Sequence, residues 1–141
     1  MTHPTTVHSE LDLRLVVPGG PSLPVVAAVR YDAADPWAVR VAFHTGAEGD
    51  GVVEWIFARS LLSDGVAGPV GEGDVRVWPA LQGREQVVHL AMASPSGSAL
   101  FEMDRGELVA FLQRTYSAVP TGAESAAVDV DAELALLLSE R

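Results

Sequence analysis

The hydrophobic period of this chain changes once, and the change divides the sequence into two kinds of structure. Up to residue 103, apolar and polar residues alternate in short runs that are separated by glycine, proline and aspartate. In the first run Leu11, Leu13 and Leu15 alternate with polar residues, which is the pattern of a half-buried strand. From residue 104 apolar residues recur every three to four positions, as in an amphipathic helix. Short strands joined by turns favour an antiparallel sheet over a parallel α/β fold.

Seven strands are predicted from the alternating runs. Their predicted bounds are 7–16, 23–31, 39–45, 52–58, 74–78, 87–93 and 99–103. In the fourth strand Val53, Trp55 and Phe57 share one face, so Trp55 is interpreted as a core residue, while Glu54 is expected to face solvent. The predicted fold class is therefore α+β, an antiparallel sheet of about seven strands followed by helices, in a single domain over residues 1–141.

Between the fourth and fifth strands the sequence predicts one helical turn and then a loop. Two adjacent leucines fit a turn over 59–64, which Gly65 is expected to end. The glycine- and proline-rich segment 65–73 predicts a loop, and Pro79 is expected to stop the fifth strand. The spaced glycines resemble a phosphate-binding loop, but such loops open a helix and carry a lysine, whereas this segment opens a strand.

The first C-terminal helix is predicted from its cap and its apolar stripe. Asp104 is a candidate N-cap, and Glu107 three residues later resembles the partner in a capping box. The stripe is formed by Leu108, Phe111, Leu112, Thr115, Tyr116 and Val119. Pro120 and Gly122 form a candidate turn or hinge that ends the helix.

A second helix is predicted after a polar stretch that reaches Ala127. Asp129 or Asp131 is expected to cap it. Its apolar face is formed by Leu134, Leu137 and Leu138. A short amphipathic helix near a terminus can dock on its own sheet or on another subunit or partner. Under the second alternative these three leucines are candidate protein-interaction residues, presented through the Pro120–Gly122 turn.

The charge of the chain bears on which partners it can bind. The 141 residues include 19 acidic and nine basic side chains, a formal net charge of −10, and all nine basic residues are arginine. The electric field of such a charge repels nucleic acids and anionic membranes. It favours solubility and attracts basic or amphipathic proteins, but a solvated acidic surface that binds no partner is an equally good interpretation. Glu48 and Asp50 lie in a predicted exposed loop over 46–51 and form a second candidate interaction surface.

No pattern in the sequence predicts catalysis, a cofactor or a metal. Without cysteine or lysine there is no thiol nucleophile, thiolate ligand, Schiff base or phosphate-loop lysine. His8, His44 and His89 could meet across strands, but no histidine pair has the spacing of a helical metal site. A serine hydrolase with a dispersed site is a further alternative, although no nucleophile-elbow motif is present. We therefore predict no enzyme activity and no cofactor.

The tryptophans allow two interpretations. Aromatic side chains on a sheet can stack nucleobases, but stacking platforms accompany a positively charged groove, and here the net charge is negative. Trp78 lies on the strand face opposite Val75 and Val77, so it is a candidate for exposure or for a subunit contact. The chain has no apolar run of the length that a membrane span needs and no visible signal peptide, so we expect a cytoplasmic protein.

Several segments in collinear order resemble the SsgA-like sporulation and cell-division family of actinomycetes. They span 31–39, 41–47, 54–62, 71–79, 111–115, 118–124 and 129–134, beginning with Tyr-Asp-Ala-Ala-Asp-Pro-Trp-Ala-Val. The resemblance extends in this order over nearly the whole chain, and the closest likeness is to the SsgB-type branch. The resemblance implies an antiparallel sheet with helices, similar to the whirly-type single-strand nucleic-acid binders and assembled as a homotrimer.

The same resemblance implies a function in protein assembly. Members of the family control sporulation-specific septation, and the SsgB type helps position the tubulin-like division GTPase at future septa. The expected partners are the chain itself, that GTPase and other SsgA-like proteins, with recruitment to septa and no membrane insertion. The alternative implied by the related fold is binding of single-stranded nucleic acid, against which the charge of −10 argues.

Overall fold

The computed structural model describes residues 6–44 and 51–127, and its elements form an α+β fold. The strands are β1 Thr6–Leu15, β2 Leu23–Asp32, β3 Ala38–His44, β4 Val52–Ala58, β5 Val70–Glu72, β6 Val75–Gln82, β7 Glu85–Ser94 and β8 Gly97–Asp104. The helices are α1 Arg59–Ala67 and α2 Arg105–Ala118, and residues 124–127 are also helical. The predicted α+β class with C-terminal helices is confirmed.

All eight strands belong to one antiparallel sheet with the order β4-β3-β2-β1-β8-β7-β6-β5. It consists of two four-stranded meanders, because strands that follow one another in sequence pair with one another within each half. The halves are connected by three residue pairs between β1 and β8, Leu13–Leu15 against Phe101–Met103, and by a hydrogen bond from the Val16 N–H to the Leu100 carbonyl at 2.8 Å. The junction can therefore bend without breaking long ladders.

The sheet is strongly curled around its inner face, which is the face that packs against α1 and α2. Phe43 on β3 and Phe101 on β8 stack with ring centroids 4.6 Å apart, although β2 and β1 lie between these strands. In a flat sheet three strand spacings would separate them by about 14 Å. Curling closes that distance and surrounds one apolar core, into which Leu62 and Leu108 project from the two helices.

Period-two alternation correctly predicts the core face of the first half of the sheet. Leu11 and Leu13 on β1 are almost fully buried, as are Val39 and Phe43 on β3. The end strand β4 follows the same alternation less completely, because only one neighbouring strand covers it. Val53 is 47% exposed there, while Phe57 is buried and Trp55 packs against the core as a half-buried side chain.

The predicted end of α1 at Gly65 is wrong, because the helix continues through Gly65 to Ala67. The reason is a close approach to β6 that only glycine permits. A Cβ on Gly65 would lie 2.6 Å from the Cβ of Val77, well inside van der Waals contact. Gly65 is therefore a packing residue within the helix, and its missing side chain lets α1 lie against the sheet.

Two predictions for the segment after α1 are also wrong. Residues 70–72, predicted as loop, form the short strand β5, which pairs with Val75–Val77 through a turn in which Gly73 has φ +62°. Pro79 does not stop the following strand, since β6 continues to Gln82. Pro79 pairs with Val88 of β7, and its other side lies beyond the end of β5, so no ladder hydrogen bond is lost there.

Helix α2 begins and ends where the sequence predicts. Asp104 caps it by accepting a hydrogen bond from the Glu107 N–H at 2.9 Å. The Glu107 carboxylate does not complete a capping box but accepts from the backbone N–H of Asp12 at 3.2 Å, which ties α2 to β1. The helix ends before Val119 and Pro120, and its predicted stripe is buried except for the half-buried Tyr116.

The predicted polar stretch after Gly122 is wrong in one respect. Residues 124–127 are helical, and the Ala127 N–H donates to the carbonyl of Ala123 at 3.1 Å. Glu124 is held at the start of this segment by contacts to α1 and to the preceding turn, which stabilise a helical turn that its polar composition does not indicate. The predicted helix with a cap at Asp129 or Asp131 lies outside the described residues.

Candidate protein-interaction site

A row of side chains crosses the outer face of the sheet, which is the face turned away from α1 and α2. Trp78 on β6 lies opposite His89 on β7, and His89 lies opposite Glu102 on β8. The ring centroids of Trp78 and His89 are 5.3 Å apart, and the Nε2 of His89 is 3.0 Å from Glu102 Oε2. Since a carboxylate only accepts, a neutral His89 ring carries its proton on Nε2. The row fixes the orientation of Trp78.

Beside this row an open groove of about 600 Å³ lies on the outer face. The strands contribute Arg76, Trp78, Ala91 and Leu100 to its lining, and the connection after β1 contributes residues 16–18. Most of the lining side chains are apolar, while Arg76 and Asp74 add one positive and one negative charge. An apolar groove with an aromatic wall and a charged rim has the composition of a protein-contact surface. Trp78, predicted to be exposed or at a contact, is half-buried and lines this groove.

A second cluster is centred on Arg59, a residue that is only 1% exposed. Its Nη1 donates to the carbonyls of Thr115 and Val119 at 3.1 and 2.8 Å, and its Nη2 donates to Glu124 Oε2 at 2.9 Å. The Thr115 carbonyl also accepts from the Val119 N–H at 2.9 Å, whereas the Val119 carbonyl lies just past the end of α2, where the helix supplies no further N–H. One guanidinium thus ties α1, the end of α2 and the helical segment at 124–127 together.

Two tyrosines enclose the same guanidinium. Its central carbon lies 3.9 Å from the ring centroid of Tyr116 and 4.9 Å from that of Tyr31. The hydroxyl of Tyr31 donates to the carbonyl of Pro36 at 2.9 Å. Planar stacking and forked donation both suit arginine and not lysine. The cluster is thus specified by the shape of the guanidinium as well as by its charge.

The electrostatics of this cluster favour an ionised Glu124 and a neutral Tyr31. The pKa of the Glu124 carboxyl is lowered, first by a hydrogen bond from the backbone N–H of Glu124 itself. Burial acts in the opposite direction, while hydrogen bonds from Arg59 and from the N–H of Gly122 lower this pKa further. Burial raises the pKa of Tyr31 to about 12, although the charge of Arg59 acts in the opposite direction. The anchor of the C-terminal segment is therefore a charged pair between a buried arginine and a carboxylate.

The turn predicted at Pro120 and Gly122 lies directly beside the Arg59 cluster. Gly122 has φ +91°, a left-handed conformation that favours glycine, and the Ala123 N–H donates to the carbonyl of Pro120 at 2.9 Å. The turn is tied to Glu124, so its proposed role as a hinge stays a prediction. The interaction candidates Leu134, Leu137, Leu138, Glu48 and Asp50 lie outside the described residues.

The three histidines considered for a metal site do not face one another. His8 pairs with Arg30, His44 with Val26 and Val52, and His89 with Trp78 and Glu102. Within 6–44 and 51–127 no group of three or more histidine, cysteine or carboxylate side chains could hold a metal ion. Nor does any helix in these ranges have the length and hydrophobicity required to cross a membrane.

Sequence reasoning did not single out Arg59 or the exposed edge of β4. Arg59 follows an alternating strand and begins a short helix, which are positions where an arginine is normally solvated. Its burial depends on the curl of the sheet and on the end of α2, 56 residues further along the chain. Exposed Val52, Val53 and Ile56 could not be recognised either, because alternation alone does not show that a strand is at the end of a sheet.

Comparison with known proteins identifies the family. Residues 25–124 match the family model described as "Streptomyces sporulation and cell division protein, SsgA". The chain belongs to the SsgA family. It is 62% identical to a sporulation-specific cell division protein SsgB of Frankia casuarinae over 94% of this chain and 92% of that one. SsgB of Streptomyces coelicolor is 53% identical to this SsgA-family chain over 96% of it and 98% of the relative. The family resemblance is confirmed.

Solved structures agree with this assignment. An SsgA-like sporulation-specific cell division protein from Thermobifida fusca superposes with a TM-score of 0.87, at 46% identity, over 96% of this chain and 98% of that chain. A structure described by the words "Mutations in SsgB correlate to longitudinal cell division during sporulation of Streptomyces coelicolor" superposes with a TM-score of 0.82, at 52% identity. It covers 90% of this chain and 99% of the other. The curled antiparallel sheet is thus shared with SsgA-like proteins.

Proposed function

We propose that this chain is a non-catalytic cell-division factor that binds proteins of the septation machinery and positions the tubulin-like division GTPase at sporulation septa. The observation that carries the proposal is identity over nearly the full chain with proteins named SsgB, which reaches 62%. The proposal places the protein in the cytoplasm, from which it is recruited to septa. It acts by contact alone, without a cofactor, and assembles with itself.

The structure is compatible with a binding role in two respects. The outer-face groove beside Trp78 and the exposed apolar side chains of β4 offer surfaces on which another protein can lie. In addition, the described residues present no grouping of metal ligands, and the one buried cation, Arg59, is fully engaged with its structural partners. These features support binding and do not require a reaction.

Co-sedimentation tests the proposal directly. Purified protein at micromolar concentration is mixed with polymers of the division GTPase from the same organism, and the pellet is compared with one from polymers mixed with an unrelated protein of similar size and charge. We expect this chain in the pellet in proportion to polymer, while the acidic control stays in the supernatant. If neither the GTPase nor another SsgA-like protein binds it, the proposal is wrong.

A further inference from the structure

The two ends of the sheet differ in a way that bears on binding. β5, at one end, has three residues and follows Pro69, and such short ends discourage strand pairing. β4, at the other end, has seven residues, and its Val52, Val53 and Ile56 are 48%, 47% and 55% exposed. A long end strand with exposed apolar side chains is the arrangement to which another strand can add.

Among the described residues, no strand covers the outer side of the β4 backbone. The Arg59 N–H donates to the carbonyl of Trp37 at 2.7 Å and so continues the β3–β4 ladder by one pair. Because hydrogen-bonded and non-hydrogen-bonded pairs alternate, the odd-numbered residues of β4 direct their N–H and C=O groups toward β3. Glu54 and Ile56 therefore direct theirs away from β3, and no strand among the described residues pairs with them.

An apolar cleft borders the same edge on the inner face of the sheet. Its volume is about 280 Å³, and it lies between β4 and the β7–β8 hairpin because the sheet curls. Val53 and Trp55 form one wall, and Ala99 and Phe101 form the apolar part of the other, which also contains the serines at 94, 96 and 98. An added strand would turn every second side chain toward this cleft, which gives a means of selecting apolar side chains.

The charge at this edge favours a basic occupant. Glu54 is the one charged residue of β4, and it makes no ion pair among the described residues. Across the ladder it faces Ala42, while the nearby Arg40 lies 3.7 Å from Asp35, which offsets its charge. With a net charge of −10 on the whole chain, an approaching arginine or lysine is attracted both at long range and at Glu54.

We propose that the free edge of β4 binds an extended segment of a partner protein that carries alternating apolar and basic side chains. The segment adds a ninth strand through the outward backbone groups of Glu54 and Ile56. Its apolar side chains enter the cleft beside Trp55, and a basic side chain reaches Glu54. This inference rests on one part of the proposed function, namely that the chain binds other proteins. It adds which surface of the chain binds and what kind of segment is bound.

A defined peptide tests this surface without any division protein. The probe is a seven-residue peptide of alternating valine and arginine, the length of β4, and its control has glutamate in place of arginine. Amide hydrogen exchange is followed by NMR on the full chain. We expect the arginine peptide to slow exchange of the Glu54 and Ile56 amides by about tenfold at saturation, and the glutamate peptide to leave it unchanged.

Variants separate the edge from the rest of the surface. Ile56→Lys should lower the affinity for the arginine peptide about tenfold or more, since the lysine repels the arginine side chains and removes an apolar contact. Leu81→Lys makes the same change on β6 at a residue that is 68% exposed, and it should leave the affinity within twofold. Glu54→Gln should reduce the preference for arginine over glutamate. Peptide contacts at the Trp78 groove, or equal binding by both peptides, would overturn the proposal.

The outcomes also distinguish this inference from the proposed function. Suppose that wild type and Ile56→Lys sediment equally well with the division GTPase, and that both bind the arginine peptide with the same affinity. The β4 proposal then fails, while the proposed function stands. If the peptide binds as expected and the GTPase does not, only the proposed function fails.

A second copy could occupy the edge instead. Protected Glu54 and Ile56 amides in the free protein, with loss of oligomer mass in Ile56→Lys, would show this and overturn the peptide proposal.

Discussion

Arg59 is a charged side chain with almost no contact with water, and its neighbours account for that placement. Two helix-end carbonyls and Glu124 accept its hydrogen bonds, and the rings of Tyr31 and Tyr116 cover its faces. A buried charge that keeps all its partners is tolerated, but removing one side of such an arrangement is costly. The whole cluster therefore depends on this one residue.

We predict that Arg59→Met lowers the free energy of unfolding by about 3 kcal/mol, because it removes the donor to the Val119 carbonyl, one of two donors to the Thr115 carbonyl, and the charged partner of Glu124. Arg59→Lys should lie between this variant and wild type, since an ammonium lacks the planar fork. Urea unfolding followed by tryptophan fluorescence measures both. Arg30→Met is the control, since that side chain is 53% exposed. Equal stability of Arg59→Met and Arg30→Met would contradict the prediction.

Tyr31 gives the cluster a measurable pH dependence. Its pKa is raised to about 12, so the neutral hydroxyl contributes stability that is fully present below the ordinary tyrosine pKa of about 10 and is lost as the pH rises toward 12. Because the chain has two tyrosines, Tyr116→Phe leaves Tyr31 as the only one. Tyrosinate absorbance of that variant should titrate near 12 when folded and near 10 in urea. Titration near 10 in the folded protein would show that the site is solvated.

The contact between α1 and the sheet depends on the absence of a side chain at Gly65. We predict that Gly65→Ala lowers the free energy of unfolding by about 1–3 kcal/mol, because its Cβ would overlap the side chain of Val77. Gly68→Ala is the matched control, since nothing lies within 4 Å of a Cβ there. Thermal unfolding measures both variants. In a protein that already carries Val77→Ala, Gly65→Ala should destabilise less than it does in wild type. An equal loss of stability in both proteins would show that the two residues do not interact.

The elements that sequence reasoning predicted well are those with local signals. Alternation in β1 and β3 and the cap at Asp104 require only neighbouring residues, and they are confirmed. The errors at Gly65 and Pro79 have a common cause, because residues that usually end an element lie inside one here. Gly65 serves a contact with β6, and Pro79 is tolerated because β5 is short. Both facts concern distant parts of the chain, so local patterns could not show them.

The candidate site was less predictable than the fold, for a reason that lies in the shape of the whole sheet. The short junction between β1 and β8 lets the sheet curl, which buries Arg59 and brings β4 beside the β7–β8 hairpin. The outer-face position of Trp78 could be predicted, because alternation shows on which face of its strand it lies. The β4 edge and the Arg59 cluster become visible only once the order of the strands is known.

Self-assembly is predicted for this chain, and Leu134 gives a way to test it. The sequence predicts an apolar face at Leu134, Leu137 and Leu138 that contacts either another protein or its own sheet. If the face mediates assembly, Leu134→Asp should lower the mass found by light scattering from a trimer toward a single chain, because a carboxylate cannot be buried there without a partner. If the face packs on its own sheet, the melting temperature should fall instead while the mass is unchanged.

The Arg59 cluster makes this experiment more decisive. Glu124 ties the start of the C-terminal segment to α1 and α2, so Glu124→Gln should weaken that attachment without altering any residue of the leucine face. Lower mass in Leu134→Asp together with lower mass in Glu124→Gln would show that assembly needs a segment anchored in one position. Leu81→Asp on the exposed end of β6 controls for the added charge and should change neither mass nor melting. A wild-type protein that scatters as a single chain at all concentrations would contradict the predicted trimer.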